Sequence, residues 1–484
     1  TGTDSSLFTV GDDDQSIYGW RGAKIENIQN FEIDFPNAQL VKLEQNYRST
    51  NNILRAANAL IANNQSRLGK ALWTEDEDGE LIKLFTAFNE VDEADFVTSS
   101  INEWVNDKGG KYSDSAILYR SNAQSRIFES TCIEQGIPYR VYGGLRFYER
   151  AEIKDALCYI RLTANPADDP SLERVINHPP RGIGQKTVSV IRDYAREQQI
   201  SMWHACHQCT ELLNSRATTA INNFIQLIED LQQEADFDQL HEHFSETINR
   251  SGLKQHYIKK EGKDKAQGRI ENLDELVNAA SEFHYYPEGE HQNFNKLTAF
   301  LSTTALDSGN TEQSDDCVHM MSIHSAKGLE FPLAFITGLE QGLFPHQNSI
   351  SEGNLEEERR LCYVAITRAR QQLCLSYAEQ RQLYGVTKPT IPSTFISEIP
   401  TELINNTRAQ RQSQWTVTSP GLSKTSVDNH STGFATGQIV SHSKFGEGVV
   451  LTTEGSGNSA RININFAESG SKWLVISYAN LTPL

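Results

Sequence analysis

The run Val10-Gly11-Asp12-Asp13-Asp14-Gln15-Ser16-Ile17-Tyr18-Gly19-Trp20-Arg21-Gly22-Ala23 gathers an amide, two aromatic rings and a guanidinium behind a Gly-acidic turn. Gln15 can donate to a phosphate oxygen. Tyr18 and Trp20 flank Gly19 with Arg21 beside them, a trio that suits stacking on unpaired bases, since every base offers a π-face. A loop carrying both functions would tie nucleotide state to the grip on a single strand. Composition alone favours a plainer reading, a buried aromatic turn.

Other stretches carry chemistry less openly. Arg48 and Arg368, taken singly, read as surface ion-pair residues, and a lone His324 reads as structural or exposed. Pro180-Arg181-Gly182-Ile183-Gly184-Gln185-Lys186-Thr187 suggests a phosphate-binding P-loop, but that loop needs Gly directly before Lys and here Gln185 precedes Lys186. His204-Ala205-Cys206-His207-Gln208-Cys209 has zinc-like spacing, yet no second ligand pair lies nearby and the segment reads as helix, so no metal is assigned.

Positioning these residues requires several folded units, because 484 residues exceed one typical domain. Leu81-Ile82-Lys83-Leu84-Phe85 predicts a strand, 91–105 a helix, Ala116-Ile117-Leu118-Tyr119 a strand, then a helix stopped by Gly136. Such alternation predicts a mostly parallel sheet covered by helices. From 150 to 312 the pattern is helical, as in 220–231. Strands return at Val318-His319-Met320-Met321 and Leu333-Ala334-Phe335-Ile336, followed by a helix at 355–370 and a strand at Leu373-Cys374-Leu375-Ser376-Tyr377. The α/β unit is therefore expected to be split by a helical insertion. Residues 401–436 read as a flexible linker. Glycine-punctuated β runs over 437–484 predict a small closed barrel. Leu7-Phe8-Thr9-Val10 reads as a strand with no earlier partner, as though the chain were cut inside a domain.

A net charge of −19 argues against nucleic acid only naively, because DNA feels a groove's local field. Acidic residues collect in stretches such as Glu75-Asp76-Glu77-Asp78. Seven scattered cysteines fit reduced thiols in a cytoplasm, and no apolar run suits a membrane span.

Order and spacing then carry a resemblance. Residues 11–23 resemble motif III of the UvrD/Rep/PcrA superfamily 1 helicases, and Leu43-Glu44-Gln45-Asn46-Tyr47-Arg48-Ser49-Thr50 resembles motif IV. Met321-Ser322-Ile323-His324-Ser325-Ala326-Lys327-Gly328-Leu329-Glu330-Phe331-Pro332 resembles motif V, and Glu356-Glu357-Glu358-Arg359-Arg360-Leu361-Cys362-Tyr363-Val364-Ala365-Ile366-Thr367-Arg368-Ala369 resembles motif VI. The resemblance implies a γ-phosphate sensor in Gln15 and γ-phosphate arginines in Arg48 and Arg368. It implies nucleotide-base stacking by Tyr47 and a sugar contact by Glu330. For single-stranded DNA it implies Tyr18, Trp20, Arg21, Arg120, Asn122 and His324, with Tyr384 as a strand-separating aromatic. It also favours a hairpin at Arg181, Gly182, Gly184 and Thr187 that holds a duplex phosphate.

The implied molecule is an ATP- and Mg²⁺-dependent 3′-to-5′ DNA helicase of excision and mismatch repair. It would act at junctions of single- and double-stranded DNA, with a Tudor- or SH3-like barrel docking repair or transcription proteins. Its α/β architecture would comprise the C-terminal edge of a first RecA-like motor domain (1–43), a second RecA-like domain (44–144 and 313–400), a helical insertion (145–312), a linker (401–436) and the barrel (437–484). No Gly-x-x-x-x-Gly-Lys-[Ser/Thr] run or paired acidic Walker B strand occurs, so the chain by itself is expected to be inactive. The rival expectation is a non-catalytic DNA- or partner-binding protein descended from a helicase. A helicase–nuclease subunit would need a carboxylate-rich domain after residue 400, where the barrel leaves no room.

Overall fold

The computed structural model describes residues 8–65, 67–285, 295–307, 315–383, 385–408, 439–442, 446–454, 461–466, 470–475 and 481–483. Two compact units divide at residues 410 and 411.

In the first unit, a seven-stranded sheet is built from β1 (Ile82–Ala87), β2 (Ser115–Tyr119), β3 (Tyr139–Tyr142), β4 (Val318–Ser322), β5 (Phe331–Ile336), β6 (Ala369–Ala378) and a later strand, Ile404–Arg408. Between β6 and that last strand lies a two-stranded hairpin, β7 (Gln380–Leu383) and β8 (Val386–Pro389), so Ile404–Arg408 is β9. The order is β3-β4-β2-β5-β6-β1-β9, with every neighbouring pair parallel. Alternation sorts β2 onto two cores. Ala116 and Leu118 join Ile53, Leu60, Leu361 and Val364, whereas Ile117 and Tyr119 join Val97, Ile101, Phe128 and Cys132. Helices Asn51–Ile61 and Leu355–Ile366 thus cover one face, and Glu90–Asn106 and Ser125–Glu134 the other. The last ends before Gly136, whose φ of +67° only glycine adopts without strain.

Parallel strands give the sheet two distinct edges. Residues just after β2 and β4 emerge at its carboxyl edge, and residues just before β5 and β6 lie at its amino edge. That distinction places the site.

Between β3 and β4 the chain is helical, from Ala151–Ala164 to Lys296–Asp307, around its own core containing Tyr159, Ile191, Phe224, Phe244 and Leu276. It docks on the sheet through polar pairs. Arg126 bonds Glu275 and Glu282 at 2.6 and 2.7 Å, Arg150 bonds Asn272 at 2.8 Å, and His346 bonds Glu271 at 3.1 Å. The hairpin is anchored by the largely covered Arg381, which meets Glu340 at 2.8 and 2.6 Å and Glu93 at 2.7 Å.

Inside the helical core His243 is buried beside Thr163 Oγ1, 2.8 Å away, and burial pulls its imidazole from 6.5 down to about 4. A depressed folded pKa means that the unfolded chain binds the proton first. His243 therefore contributes stability that is fully present above pH 6.5 and lost as pH falls toward 4. His243→Gln should flatten the drop in urea midpoint between pH 7 and pH 5; an unchanged drop would remove His243 as its source.

Three expectations need correction. Residues 8–10 form no strand, and Phe8 and Val10 are exposed, since no ladder partner runs beside them among the described residues. The helix expected at 355–370 ends at Ile366, because Thr367 Oγ1 caps the carbonyls of Tyr363 and Val364 (both 3.0 Å) and β6 begins at Ala369. Residues 404–408, read as linker, are a sheet strand paired along β1 from Ile82↔Ile404 to Thr86↔Arg408; the backbone ladder holds them without apolar alternation. Of the rest of the 401–436 linker, Thr401–Leu403 form a single 3-10 turn and 409–436 lie outside the described residues.

The second unit contains a five-stranded antiparallel sheet: Gly470–Val475, Arg461–Phe466, Gly446–Glu454, Ile439–His442 and Leu481–Pro483 in spatial order. Val440, Ile462 and Ile464 form its described core. Among the described residues no helix is long and apolar enough to cross a membrane.

Candidate nucleotide and nucleic-acid site

At the amino edge, Glu330 immediately precedes β5 and Arg368 immediately precedes β6. Arg48 Nε donates to Glu330 Oε2 at 2.5 Å, and this guanidinium holds Glu330 below the usual carboxylate range. Arg368 is buried and donates to the carbonyls of Val364 (3.0 Å) and Leu329 (2.9 Å). Burial, then repulsion from Arg48, pushes it down to about 10, so it stays charged at neutral pH while short of counter-charge. Gln15 ends the single turn Asp13–Gln15, where its Nε2 donates to Asp12 Oδ2 at 2.6 Å. Lys327 joins the group: its Nζ donates to the Gln15 carbonyl at 2.8 Å, and burial followed by Arg368 lowers its pKa against the pull of Asp12. Gln15, Arg48, Glu330 and Arg368 are therefore neighbours. Tyr47, next to Arg48, is 79% exposed, with its hydroxyl on Gln45 Oε1 at 2.7 Å. This donor set suits the anionic end of a triphosphate.

Asp12, Asp13 and Asp14 bring carboxylate oxygens within 4.8 Å of one another. Each already has protein donors. Asp14 takes both prongs of Arg67 at 2.7 Å, Asp13 the Leu68 N–H at 2.8 Å, and Asp12 takes Lys70 and Gln15. These donors fit a structural junction.

At the carboxyl edge, the Tyr18 hydroxyl donates to the His324 carbonyl at 3.2 Å, and the cations of Arg21 and Lys327 sit 5.2 and 5.3 Å from its ring centre. The backbone of Trp20 lies in the same turn, Gly19–Arg21. Burial and Arg120 take His324 down to about 4, so its imidazole is neutral at pH 7. Arg120 forks onto Glu358 with contacts of 2.7 to 3.1 Å. Asn122 is exposed, and its carbonyl accepts from Arg150 at 3.0 Å.

The hairpin 180–187 lies apart, in the helical region. Gly182 has φ +84°, and Gly184 caps helix Gln185–Gln198 without a side-chain bond, leaving Thr187 in its first turn. Asn177 Oδ1 accepts the N–H groups of Arg181 and Ile183 at 2.8 and 3.1 Å. The Arg181 side chain turns inward to the carbonyls of Pro179 and Ser251, both 3.0 Å away, and packs over Tyr159 and Phe224. Cys206 and Cys209 are buried, and burial pushes the Cys206 thiol up to about 12. Tyr384 lies outside the described residues; its neighbour Gly385 turns the hairpin with φ +75°.

Sequence reasoning left Lys327, Glu357 and Glu358 without roles. Lys327 stood in the motif V run, three residues before Glu330, and a cation there was a usable signal. Nothing in the sequence indicated the partners of the two glutamates.

Family models match the chain in three places: "UvrD/REP helicase N-terminal domain" over 1–36, "UvrD-like helicase C-terminal domain" over 41–380 and "PcrA/UvrD tudor domain" over 436–482. DNA helicase II of Escherichia coli (strain K12) is 50% identical over 485 residues, covering 99% of this chain and 67% of the relative. DNA helicase II of Haemophilus influenzae is 50% identical, with 99% and 66% covered. The ATP-dependent DNA helicase PcrA of Staphylococcus aureus (strain MRSA252) is 41% identical, with 98% and 66% covered. The chain thus spans about two thirds of the length of these relatives.

Proposed function

Since the chain belongs to the UvrD-like helicase family, we propose that it forms the cleft-closing and strand-gripping part of an ATP-driven 3′-to-5′ DNA helicase. The observation that supports this reading is the convergence of Arg48, Glu330 and Arg368 at one edge of a sheet whose other edge carries Arg120 and His324, with Lys327 holding the Gln15 carbonyl and facing the Tyr18 ring. In this reading residues 1–43 edge a first motor domain. Residues 44–144 and 313–408 form the second, around the helical insertion.

Arg48 and Arg368 are pre-charged and partly desolvated. Rotating from Glu330 and from backbone carbonyls onto the terminal phosphate, they neutralise charge that builds on its oxygens during transfer to water. Gln15 reports the same phosphate. Tyr47 stacks on the base, and Glu330, once freed, meets the sugar. Mg²⁺ would be held by Walker-type carboxylates, which do not occur in these 484 residues, and would supply charge neutralisation at the phosphates. Closing and reopening alternately load Tyr18, Trp20 and Arg21 on one motor domain and Arg120, Asn122 and His324 on the other. One strand then advances about a base per cycle. Tyr384 splits the duplex, while Gly182, Gly184 and Thr187 hold its phosphates.

We place the protein in the cytoplasm, on seven cysteines without a disulfide, and in excision and mismatch repair, with the barrel docking repair or transcription proteins. The retained nucleotide-facing set weighs against a non-catalytic descendant.

Two assays test the reading. The 484-residue chain should show no DNA-stimulated ATP hydrolysis, and measurable turnover would contradict the missing-cradle argument. Joined to a Walker A- and B-bearing N-terminal segment, it should displace strands from a 3′-tailed duplex. Displacement from 5′-tailed duplex alone would refute the polarity.

A further inference from the structure

Helix Leu355–Ile366 connects the two halves of the site. Its 12 residues span about 18 Å. It begins at the carboxyl edge and delivers Arg368 to the amino edge, two residues beyond its end. Its first turn holds three glutamates, each bound to a different element. Glu356 accepts the Gln65 N–H at 2.9 Å, beyond helix Asn51–Ile61. Glu358 takes the fork of Arg120 after β2 and also the His346 N–H at 3.1 Å and the Ser349 hydroxyl at 3.0 Å. Glu357 Oε1 accepts the Gly19 N–H at 2.9 Å, in the turn between Tyr18 and Trp20. The approach is close: a Cβ on Gly19 would lie 2.4 Å from Glu357 Oε2.

We propose that Glu357 is a positioning residue for the single-strand loop, fixing Tyr18, Trp20 and Arg21 to the helix that carries the phosphate-facing Arg368. This rests on the strand-gripping half of the function proposed above. A charged acceptor on a backbone N–H is a strong hydrogen bond. With Glu358 holding Arg120 from the same turn, both strand-facing groups hang from one rigid element. A shift of Arg368 at one end therefore moves the loop at the other. A side chain at 19 would push the Glu357 carboxylate, the end of a flexible side chain, off the Gly19 N–H.

The test is direct binding of fluorescein-labelled oligo-dT to the 484-residue chain, read by anisotropy. Glu357→Ala should weaken binding about tenfold, equivalent to about 1.4 kcal/mol. Glu357→Gln keeps an acceptor oxygen and should stay within about threefold of the parent. Gly19→Ala should weaken binding like Glu357→Ala, and the double variant should be no weaker than either single one, as for two parts of one contact. Alanine at 357 matching the parent, glutamine failing as badly as alanine, or multiplying losses in the double variant would each overturn the proposal. No binding by the parent would overturn this and the helicase reading together. A parent that binds, joined to a Walker segment yet unable to hydrolyse ATP, would remove the helicase reading alone.

Discussion

Arg368→Ala, in a chain carrying the ATP-cradling segment, should lower DNA-stimulated ATP turnover about a thousandfold, with nucleotide-free oligo-dT affinity changed by less than about threefold. The size follows from the guanidinium's task, which is to stabilise charge present in the transition state and smaller in the ground state. Arg368 is suited to it because burial and Arg48 have already removed part of its solvation and pushed it down to about 10. Arg368→Lys should recover little. A lysine offers a point charge and cannot present the rigid fork of donors that grips two phosphate oxygens at once. Steady-state ATPase at saturating DNA checks this, and a loss under about tenfold would show that Arg368 is structural.

The largest effect on stability is expected at Arg381. Its guanidinium is shared by Glu340 and Glu93, both almost wholly buried. Those carboxylates are satisfied from all sides: Glu93 by Gly338 N–H (2.9 Å) and Ser376 hydroxyl (2.7 Å), Glu340 by Ala378 N–H (2.8 Å). Deleting the arginine leaves two carboxylates in the interior with no counter-charge, which costs about 3–5 kcal/mol. Arg381→Ala should accordingly lower the urea midpoint of the sheet-containing unit, whereas Arg381→Ala with Glu340→Gln should recover part of it. A midpoint unchanged by the single substitution would mean that water reaches the pair. β7 ends at Leu383, so the single substitution should also loosen the hairpin turn at Gly385.

How much of this could be read from residues depended on what holds each element. β2 was legible because Ile117 and Tyr119 face one core and Ala116 and Leu118 the other. The helix after it was legible because Gly136 stops it. β9 was not, because Ile404-Asn405-Asn406-Thr407-Arg408 is held by a backbone ladder that sequence does not display. The end of helix Leu355–Ile366 was hidden for a similar reason, since the Thr367 cap competes with the apolar periodicity. In the site, motif order located Gln15, Arg48, Glu330 and Arg368, and these four are neighbours. Partners were another matter. Nothing in sequence says that Arg120 forks onto Glu358, that Arg181 turns inward to Ser251, or that Lys327 reaches the Gln15 carbonyl. These are long-range pairings, set by the packing of elements distant in sequence.

The convergence on one phosphate is tested most directly by a structure of the chain joined to an ATP-cradling segment, with Mg²⁺, ADP and aluminium fluoride, which imitates the transferring group. The account predicts that Arg48, Arg368 and the Gln15 amide leave Glu330, the Val364 and Leu329 carbonyls and Asp12, and lie within about 3.2 Å of the fluorides. An occupied nucleotide with either guanidinium still on its present partner, beyond hydrogen-bonding reach of the fluorides, would contradict it.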